Sequence, residues 1–385
     1  MKKFKILILS GSRAEYGLLR TIIKKISADN EMKLYFVLTG THLSPFHGST
    51  EEEVEKDKLP IYDKIETQLA SDSKIGMAKS TAMGILGLSE CFKKVSPDIL
   101  VCLGDRYEVF AGVYAAAIMQ IPVAHIHGGE LTFGSIDDSI RHSITKFSTL
   151  HFSSTEMYKK RIIQMGESKK NVFNVGALAV ENIFSMKKLS LSNICRKINF
   201  KIDNKYFVIT IHPPTNQKSS IKSFVNEILE SLEYFSNRIL IFTYANSDPG
   251  GYIINQMCEE FCKKDIKKRI IKKNLGHDLY VNLIRKAELV IGNSSSGVIE
   301  APIVNTPAVN IGDRQEGRYM SDSVVCAKQK KSDILSSIKK ALKLTQKVND
   351  HPFGNGNTSS KIIKELKKFV KNYDGNIKKF NDIDF

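Results

Sequence analysis

Leu289-Val290-Ile291-Gly292-Asn293-Ser294-Ser295-Ser296-Gly297-Val298-Ile299-Glu300 holds the transition that decides the fold. Three β-favouring apolar residues stop at a glycine. Three hydroxyls and a second glycine follow, and then a helical pattern begins. Strand, turn and helix in that order make a βα unit. Small residues in such a turn let backbone N–H groups approach an anion, and the helix behind it adds its positive end. The spacing predicts an anion site at Ser294, Ser295, Ser296 and Gly297. Glu300 is expected further into that helix, where a carboxylate beside a phosphate would repel it. It is therefore assigned to sugar hydroxyls such as those of a ribose. No Gly-Lys-Ser/Thr follows, so this is not a Walker loop. Gly-x-Gly-x-x-Gly is also missing, and no dinucleotide cofactor is indicated.

The same alternation runs outward from this stretch. Strands are predicted at 4–9, 33–39, 99–103, 123–126, 150–153 and 172–175, with helices at 16–26, 80–95, 107–119 and 157–165. The pattern restarts with strands at 206–211, 238–244, 289–291 and 308–311 and helices at 221–235 and 279–287. Two further helical segments follow at 332–344 and 360–371, before a polar tail. Strands bounded by turn residues and followed by helices mean a parallel sheet. The expected fold is α/β, with two Rossmann-like domains facing a central cleft. Residues 1–180 form the first, a Lys-, Ser- and Asn-rich linker covers 181–204, and 205–350 form the second. Residues 351–385 are left for a helix and tail. A chain of 385 residues suits two domains of ordinary size.

Ligands of open α/β sheets collect at the carboxyl ends of the strands. Ser10-Gly11-Ser12-Arg13 follows the first strand, and Arg13 can offer phosphate a two-pronged guanidinium. Gly104-Asp105-Arg106 follows the 99–103 strand; Asp105 there reads as a site carboxylate or a helix N-cap, with Arg106 beside it for an anion. After the 123–126 strand come His127-Gly128-Gly129-Glu130, then Gly134 to Asp138, then Arg141-His142. Such a density of titratable groups suits proton transfer, with His127, Glu130 and Asp137 as acid/base candidates and Asp138 and His142 beside them. A metal is the rival reading, with His125, His127, Glu130, Asp137 and His142 as donors, although their spacing matches no compact motif. In the second half, His212 and Asn246 to Gly250 follow strands, and Arg314 follows the 308–311 strand.

Composition narrows the remaining classes. Apolar residues make up 42% and charged residues 25%, a globular balance. The net charge of +16 comes largely from scattered Lys without interleaved aromatics. This suits a basic cleft for a polyanionic small molecule better than nucleic acid. Cys91, Cys102, Cys195, Cys258, Cys262 and Cys326 form neither a metal motif nor a disulfide framework, as in a reduced cytoplasmic protein. The apolar run from Val109 to Ala124 is broken by Gln120 and Pro122 and is too short to span a bilayer.

Taken in order, several motifs resemble the hydrolysing nucleotide-sugar 2-epimerases of the sialic and legionaminic acid pathways. These are Gly11-Ser12-Arg13-Ala14-Glu15-Tyr16, Gly104-Asp105-Arg106, His125-Ile126-His127-Gly128-Gly129-Glu130, Ile136 to His142, Gly292 to Gly297 and Gly312-Asp313-Arg314-Gln315. The resemblance runs from about residue 4 to about residue 345. It implies a glycosyltransferase-B-like pair of domains, with the C-terminal helix crossing back to the first. It implies catalysis without metal or cofactor, and a protein that is often a homo-oligomer. It also implies that Arg13, Ser294, Ser295, Glu300 and Arg314 bind the nucleotide. Asp105, His127, Asp137 and His212 then match the acid/base and sugar-contacting positions. The sialic-acid branch usually has Glu where His127 stands. The Ile-His-Gly-Gly-Glu form is similar to the branch acting on GDP- or UDP-linked N,N'-diacetylbacillosamine, with UDP-N-acetylglucosamine as the alternative substrate. A glycosyltransferase or a non-catalytic nucleotide-sugar binder is the alternative from other classes.

Overall fold

The computed structural model describes residues 3–43, 51–69, 73–133, 136–203, 205–214, 220–245, 250–273, 275–344, 351–375 and 378–382. The chain divides into two compact units. One contains Met1–Leu131, Ser135–Asn182 and Pro352–Phe385, the other Thr132–Gly134 and Ile183–His351.

The first unit is built on a parallel sheet of β1 (Phe4–Ser10), β2 (Met32–Thr39), β3 (Ile61–Ile65), β4 (Ile99–Leu103), β5 (Val123–Ile126), β6 (Leu150–Ser153) and β7 (Val172–Asn174). Its spatial order is β3-β2-β1-β4-β5-β6-β7. Helices α1 (Arg13–Ser27), α2 (Glu51–Lys56), α3 (Lys74–Val95), α4 (Tyr107–Ile118), α5 (Ile136–Phe147) and α6 (Glu156–Gln164) connect the strands. Alternate residues of β1 serve opposite faces. Ile6 and Ile8 join a core with Leu19, Ile22 and Ile26 of α1, whereas Leu7 and Leu9 join one with Leu88 of α3 and Val109 of α4. Burial on both faces explains why these strands read as unbroken apolar runs.

The second unit repeats the plan. Its strands are β8 (Tyr206–Thr210), β9 (Ile239–Thr243), β10 (Arg269–Lys272), β11 (Leu289–Gly292), β12 (Ala308–Ile311) and β13 (Val324–Ala327). They are parallel in the order β10-β9-β8-β11-β12-β13. Phe207, Ile209 and Ile211 pack against α9 (Ile221–Leu232), α10 (Gly251–Lys263) and α13 (Lys331–Ala341). The strands α/β reading did not anticipate are β3, β10 and β13, all at sheet edges. β3 alternates half-buried with exposed residues and β10 has a charged residue at each end, whereas β13, Val324–Ala327, is an apolar run as long as that of β12.

The 181–204 stretch holds more structure than its composition suggests. α7 (Leu178–Ser185) spans the division between the units, and α8 (Leu191–Ile198) follows, capped by Ser190, with Ile194 and Ile198 buried. Two apolar residues four apart are enough to hold a helix whose other positions are polar. Among the described residues no helix is long and apolar enough to cross a membrane.

The C-terminal helix α14 (Thr358–Asn372) belongs to the first unit. Ile362 and Leu366 are fully buried in the core that holds α1. Lys367 reaches Asp29 and Glu31 at 2.7 Å each, and the Glu181 carboxylate accepts the Ser359 N–H at 2.6 Å. Replacing Leu366 by Ala removes buried side-chain volume with little scope for collapse. It is expected to lower the unfolding free energy of this unit by roughly 2–4 kcal/mol. Urea titration followed by circular dichroism measures this.

Candidate active site

In each sheet the strand order reverses between two central strands, β1 and β4 in the first unit and β8 and β11 in the second. The side chains at those carboxyl ends are the candidate functional groups of each unit. Residues 134–135 and 246–249, which the sequence also pointed to, lie outside the described residues.

At the end of β1, Ser12 caps α1 and accepts the Glu15 N–H at 3.4 Å, while the Glu15 carboxylate reaches back to the Gly11 N–H at 2.6 Å. This is close to a capping box, with the carboxylate taking the N–H one residue before the N-cap, and it starts α1 at Arg13, before the apolar periodicity begins. Arg13 is exposed on the first turn. Glu15 is buried, with one oxygen unpartnered, and stands near the buried Glu108 carboxylate. Arg106 grips Glu108 with two bonds, 3.1 and 2.9 Å. Burial pushes Glu15 up to about 8; the Gly11 N–H opposes this and the Glu108 charge adds to it. Two nitrogens of Arg106 thus pair with a carboxylate of its own unit, a partner its assignment to phosphate had not included. The Arg106 charge is raised in pKa by Glu108 against the opposing cost of burial.

Beyond β4 and β5 the organising side chain is Arg141 on α5, which is 4% exposed. Its guanidinium pairs with Asp105, donates to the Glu130 carbonyl at 3.0 Å, and lies 3.6 Å from Asp138, three residues earlier on the same helix. His142 stands 3.5 Å from Asp138 on its other side. Asp137 occupies the first turn of α5 with Asp138. His127 adopts φ +65°, an uncommon conformation for a residue with a side chain. Its Nδ1 lies 3.7 Å from Glu130, and its Nε2 is buried without a partner. Ser154 donates to Glu130 at 3.0 Å. Burial lowers the pKa of His127 and of His142, each opposed by its neighbouring carboxylate.

The fully buried His125 has a separate task. Its Nε2 is 2.8 Å from the Gly104 carbonyl and its Nδ1 is 3.1 Å from the Thr145 hydroxyl. A carbonyl can only accept, so Nε2 carries the proton and Nδ1 accepts from Thr145. Burial drives this ring down to about 3. With both nitrogens engaged it ties β5 to the β4 turn and to α5, which removes it from the metal-ligand set considered above. Among the described residues no three His, Cys, Asp or Glu side chains form a cluster able to hold a metal.

In the second unit the switch point is bridged by Asn293. Its side-chain oxygen accepts the His212 N–H at 2.7 Å and its amide donates to the His212 carbonyl at 2.8 Å. The neighbouring Gly292 has φ +140°, and a Cβ there would collide with the Thr210 carbonyl. His212 is buried, and burial together with the Arg314 charge lowers it to about 4. Arg314 and Gln315 both donate to the Asn293 carbonyl, at 3.4 and 2.9 Å. Tyr280 meets the Ser296 hydroxyl at 2.5 Å, and Ser296 in turn donates to Ser294 at 3.2 Å.

The helix expected after this turn is much reduced. Ser295–Gly297 forms a 3-10 turn, and α12 (Glu300–Ile303) has four residues with Pro302 among them. Glu300 therefore opens the helix rather than lying within it. Its carboxyl has one buried oxygen without a partner, and burial raises its pKa. So short a helix contributes little dipole, and hydroxyls and turn N–H groups are what the stretch can offer an anion. A cavity of about 940 Å³ opens at the ends of β12 and β13, where Asn310 and Asp313 each hold a buried oxygen without a partner.

Arg141, Glu15 and Asn293 stood inside motifs read from the sequence but without these roles, and Glu108 and Tyr280 were not singled out. Ser12-x-x-Glu15 was readable as a capping box, and Asp138 and Arg141 are helical neighbours by spacing. Asn293 and Tyr280 act across 81 and 16 residues of chain, and nothing local announces them.

Two doubly wound units with polar groups gathered at both switch points define a two-domain α/β protein of the glycosyltransferase-B-like kind. The sequence profile of the UDP-N-acetylglucosamine 2-epimerase family matches residues 24–367, and the chain belongs to that family. It is 42% identical over 325 residues to the GDP/UDP-N,N'-diacetylbacillosamine 2-epimerase (hydrolyzing) of Campylobacter jejuni, covering 84% of each chain. The polysialic acid biosynthesis protein P7 of Escherichia coli is 35% identical, covering 98% of this chain and 97% of its own. The UDP-N,N'-diacetylbacillosamine 2-epimerase (hydrolyzing) of Legionella pneumophila is 33% identical, covering 94% and 95%. The solved UDP-GlcNAc 2-epimerase of Neisseria meningitidis superposes with a TM-score of 0.81 over 95% of this chain and 100% of its own, at 19% identity, a likeness of fold. The chain is accordingly an enzyme of the hydrolysing 2-epimerase kind.

Glu15 provides a test of the site's electrostatics. Its pKa is about 8 in the folded protein against 4.5 for an ordinary glutamate, so the fold favours the neutral acid. That contribution is complete below 4.5 and is lost as pH rises towards 8, at up to ~1.4 kcal/mol per pH unit. Glu15→Gln keeps an acceptor for the Gly11 N–H and never ionises. Unfolding free energies across this range should show the variant gaining on the wild type as pH rises, with a slope flatter by one proton.

Proposed function

We propose that this enzyme converts GDP- or UDP-linked N,N'-diacetylbacillosamine to 2,4-diacetamido-2,4,6-trideoxymannose and the nucleoside diphosphate, a step towards legionaminic acid. The observation that carries the chemistry is the Arg141-centred group at the ends of β4 and β5, where Asp105, Asp138 and the His127–Glu130 pair stand together. The substrate assignment rests on His127 in Ile-His-Gly-Gly-Glu and on the names of the relatives from Campylobacter jejuni and Legionella pneumophila.

In this reading a base takes the proton from C2 of the sugar while the C1–O bond to the diphosphate breaks, and the bonding pair of C2–H becomes the C1–C2 double bond of a glycal-like intermediate. Water then adds its oxygen to C1 and C2 receives a proton on the opposite face, so that one water is consumed. A C2 proton is weakly acidic, and catalysis needs a positioned base together with stabilisation of the departing charge. Asp105, His127, Glu130, Asp137 and His212 are the acid/base candidates, with Asp138 and His142 in contact with the sugar. The lowered pKa values of His127 and His212 favour neutral imidazoles near neutral pH, the form that accepts a proton. Arg13, Arg106, Arg314 and the hydroxyls and N–H groups of Ser294, Ser295, Ser296 and Gly297 would hold the nucleoside diphosphate. Glu300, uncharged when protonated, would take its ribose.

Incubation with GDP-diacetylbacillosamine, UDP-diacetylbacillosamine and UDP-N-acetylglucosamine in deuterated water tests this. Mass spectrometry should find free sugar with deuterium at C2 from a diacetylbacillosamine donor and no acceptor. Turnover of UDP-N-acetylglucosamine alone would overturn the substrate assignment, and nucleotide release without deuterium at C2 would overturn the mechanism. Asp105→Asn is expected to lower turnover by about 10²–10⁴-fold while nucleoside diphosphate affinity, measured by calorimetry, stays unchanged. A wild-type rate would remove Asp105 from the acid/base set.

A further inference from the structure

α5 carries Asp137, Asp138, Arg141 and His142, and its far end is held by a part of the chain that neither the motifs nor the proposed chemistry uses. The last four carbonyls of a helix have no partner within it. In α5 this end receives the ammonium of Lys378, from the tail beyond α14. Lys378 donates to the carbonyls of Lys146 at 2.6 Å, Ser148 at 2.7 Å and Thr145 at 3.4 Å. A cation at a helix carboxyl end is favoured by the dipole as well as by these bonds. Lys378 also lies 2.7 Å from Glu167, which is 2% exposed and gathers Lys146 at 2.7 Å and His151 at 2.9 Å. Burial pushes the Glu167 carboxyl up, but the hydrogen bonds from His151, Lys146 and Lys378 hold it down at about 2.

The tail is seated on both sides of this contact. Asn381 donates its N–H to the Gly166 carbonyl at 3.0 Å, and its side-chain amide reaches the same oxygen at 3.3 Å. The Phe380 ring lies against Gly166, where φ is +86° and a Cβ would meet the ring, and Lys146 stands 4.8 Å from its centre. From Thr145, whose carbonyl faces Lys378, the hydroxyl leads to His125, and His125 leads to the carbonyl of Gly104, next to Asp105. The tail therefore touches the end of the helix bearing Arg141 and, through Thr145, a buried route to Arg141's partner.

We propose that residues 378–382 are a strap, and that Lys378 is a positioning residue that sets α5, and with it Arg141 and Asp105, in the arrangement the reaction needs. The inference rests on the reading of α5 as the acid/base helix. A misplacement of about 1 Å far from the chemistry is enough to cost about a hundredfold in rate, so a fixed helix end has functional weight.

The test compares wild type with Lys378→Ala, Lys378→Arg and Phe380→Ala in the full chain. Peptide-resolved hydrogen exchange should quicken in α5 for Lys378→Ala and Phe380→Ala and stay near wild type for Lys378→Arg. Turnover should fall by about tenfold to a hundredfold in Lys378→Ala and recover in Lys378→Arg, with nucleoside diphosphate affinity unchanged in both. Unchanged exchange in α5, or turnover preserved while only the melting temperature falls, would overturn the proposal by showing a tail that merely adds stability. Failure of the functional reading shows differently, as wild-type protein that places no deuterium at C2; the exchange comparison still decides the strap in that case.

Discussion

A guanidinium that is almost wholly buried has to find its partners where it lies, and Arg141 finds them on three separate pieces of chain. It takes a carboxylate from the β4 turn, a carbonyl from the segment after β5 and a carboxylate from its own helix. Removing one partner of a buried charge costs more than the pair contributes, because the survivor stays desolvated. Asp105 and the Glu130 backbone are thereby tied to the position of α5. The three-residue turn after β4 and the segment holding Glu130 are thus joined to α5 through this one side chain.

The second unit solves the matching problem without charge. At its switch point the side-chain amide of Asn293 imitates a neighbouring strand, offering one donor and one acceptor to the backbone of His212. Gly292 makes that approach possible, since any Cβ would occupy the space of the Thr210 carbonyl. Arg314 and Gln315 then close on the Asn293 carbonyl, so β8, β11 and β12 meet at one residue. The hydroxyl turn that follows is held by bonds among its own groups and Tyr280.

Both units keep ionisable groups under cover at their strand ends, and the fold moves them in different directions. Glu15 rises to about 8 beside Glu108, while His125 and His212 fall to about 3 and 4. Near neutral pH all three are therefore held mainly uncharged by burial, whereas the Arg106–Glu108 and Arg141–Asp105 pairs supply compensated charge. Compensated charges fixed in place in this way need no reorganisation when charge develops nearby.

The alternation of apolar strands with helices determined the fold class by itself, because strands covered on both faces, such as Leu7 to Leu9 and Leu100 to Cys102, cannot be written any other way. Gly292 to Gly297 and His127 to His142 likewise marked the polar carboxyl ends of their strands, since glycines, hydroxyls and titratable groups gather there after a buried apolar run. The edge strands β3 and β10 were hidden by the charged residues they carry, Asp63, Lys64, Arg269 and Lys272, whereas β13 is a short apolar run that the alternation did not single out. The true length of the helix at Glu300 was hidden too, as were the roles of Arg141, Asn293 and Lys378. Each of these three acts through a partner remote in sequence, and whether a polar side chain points into water or satisfies a buried carbonyl depends on what lies opposite it. Only the tertiary structure decides that, because desolvation is a property of the neighbours and not of the residue.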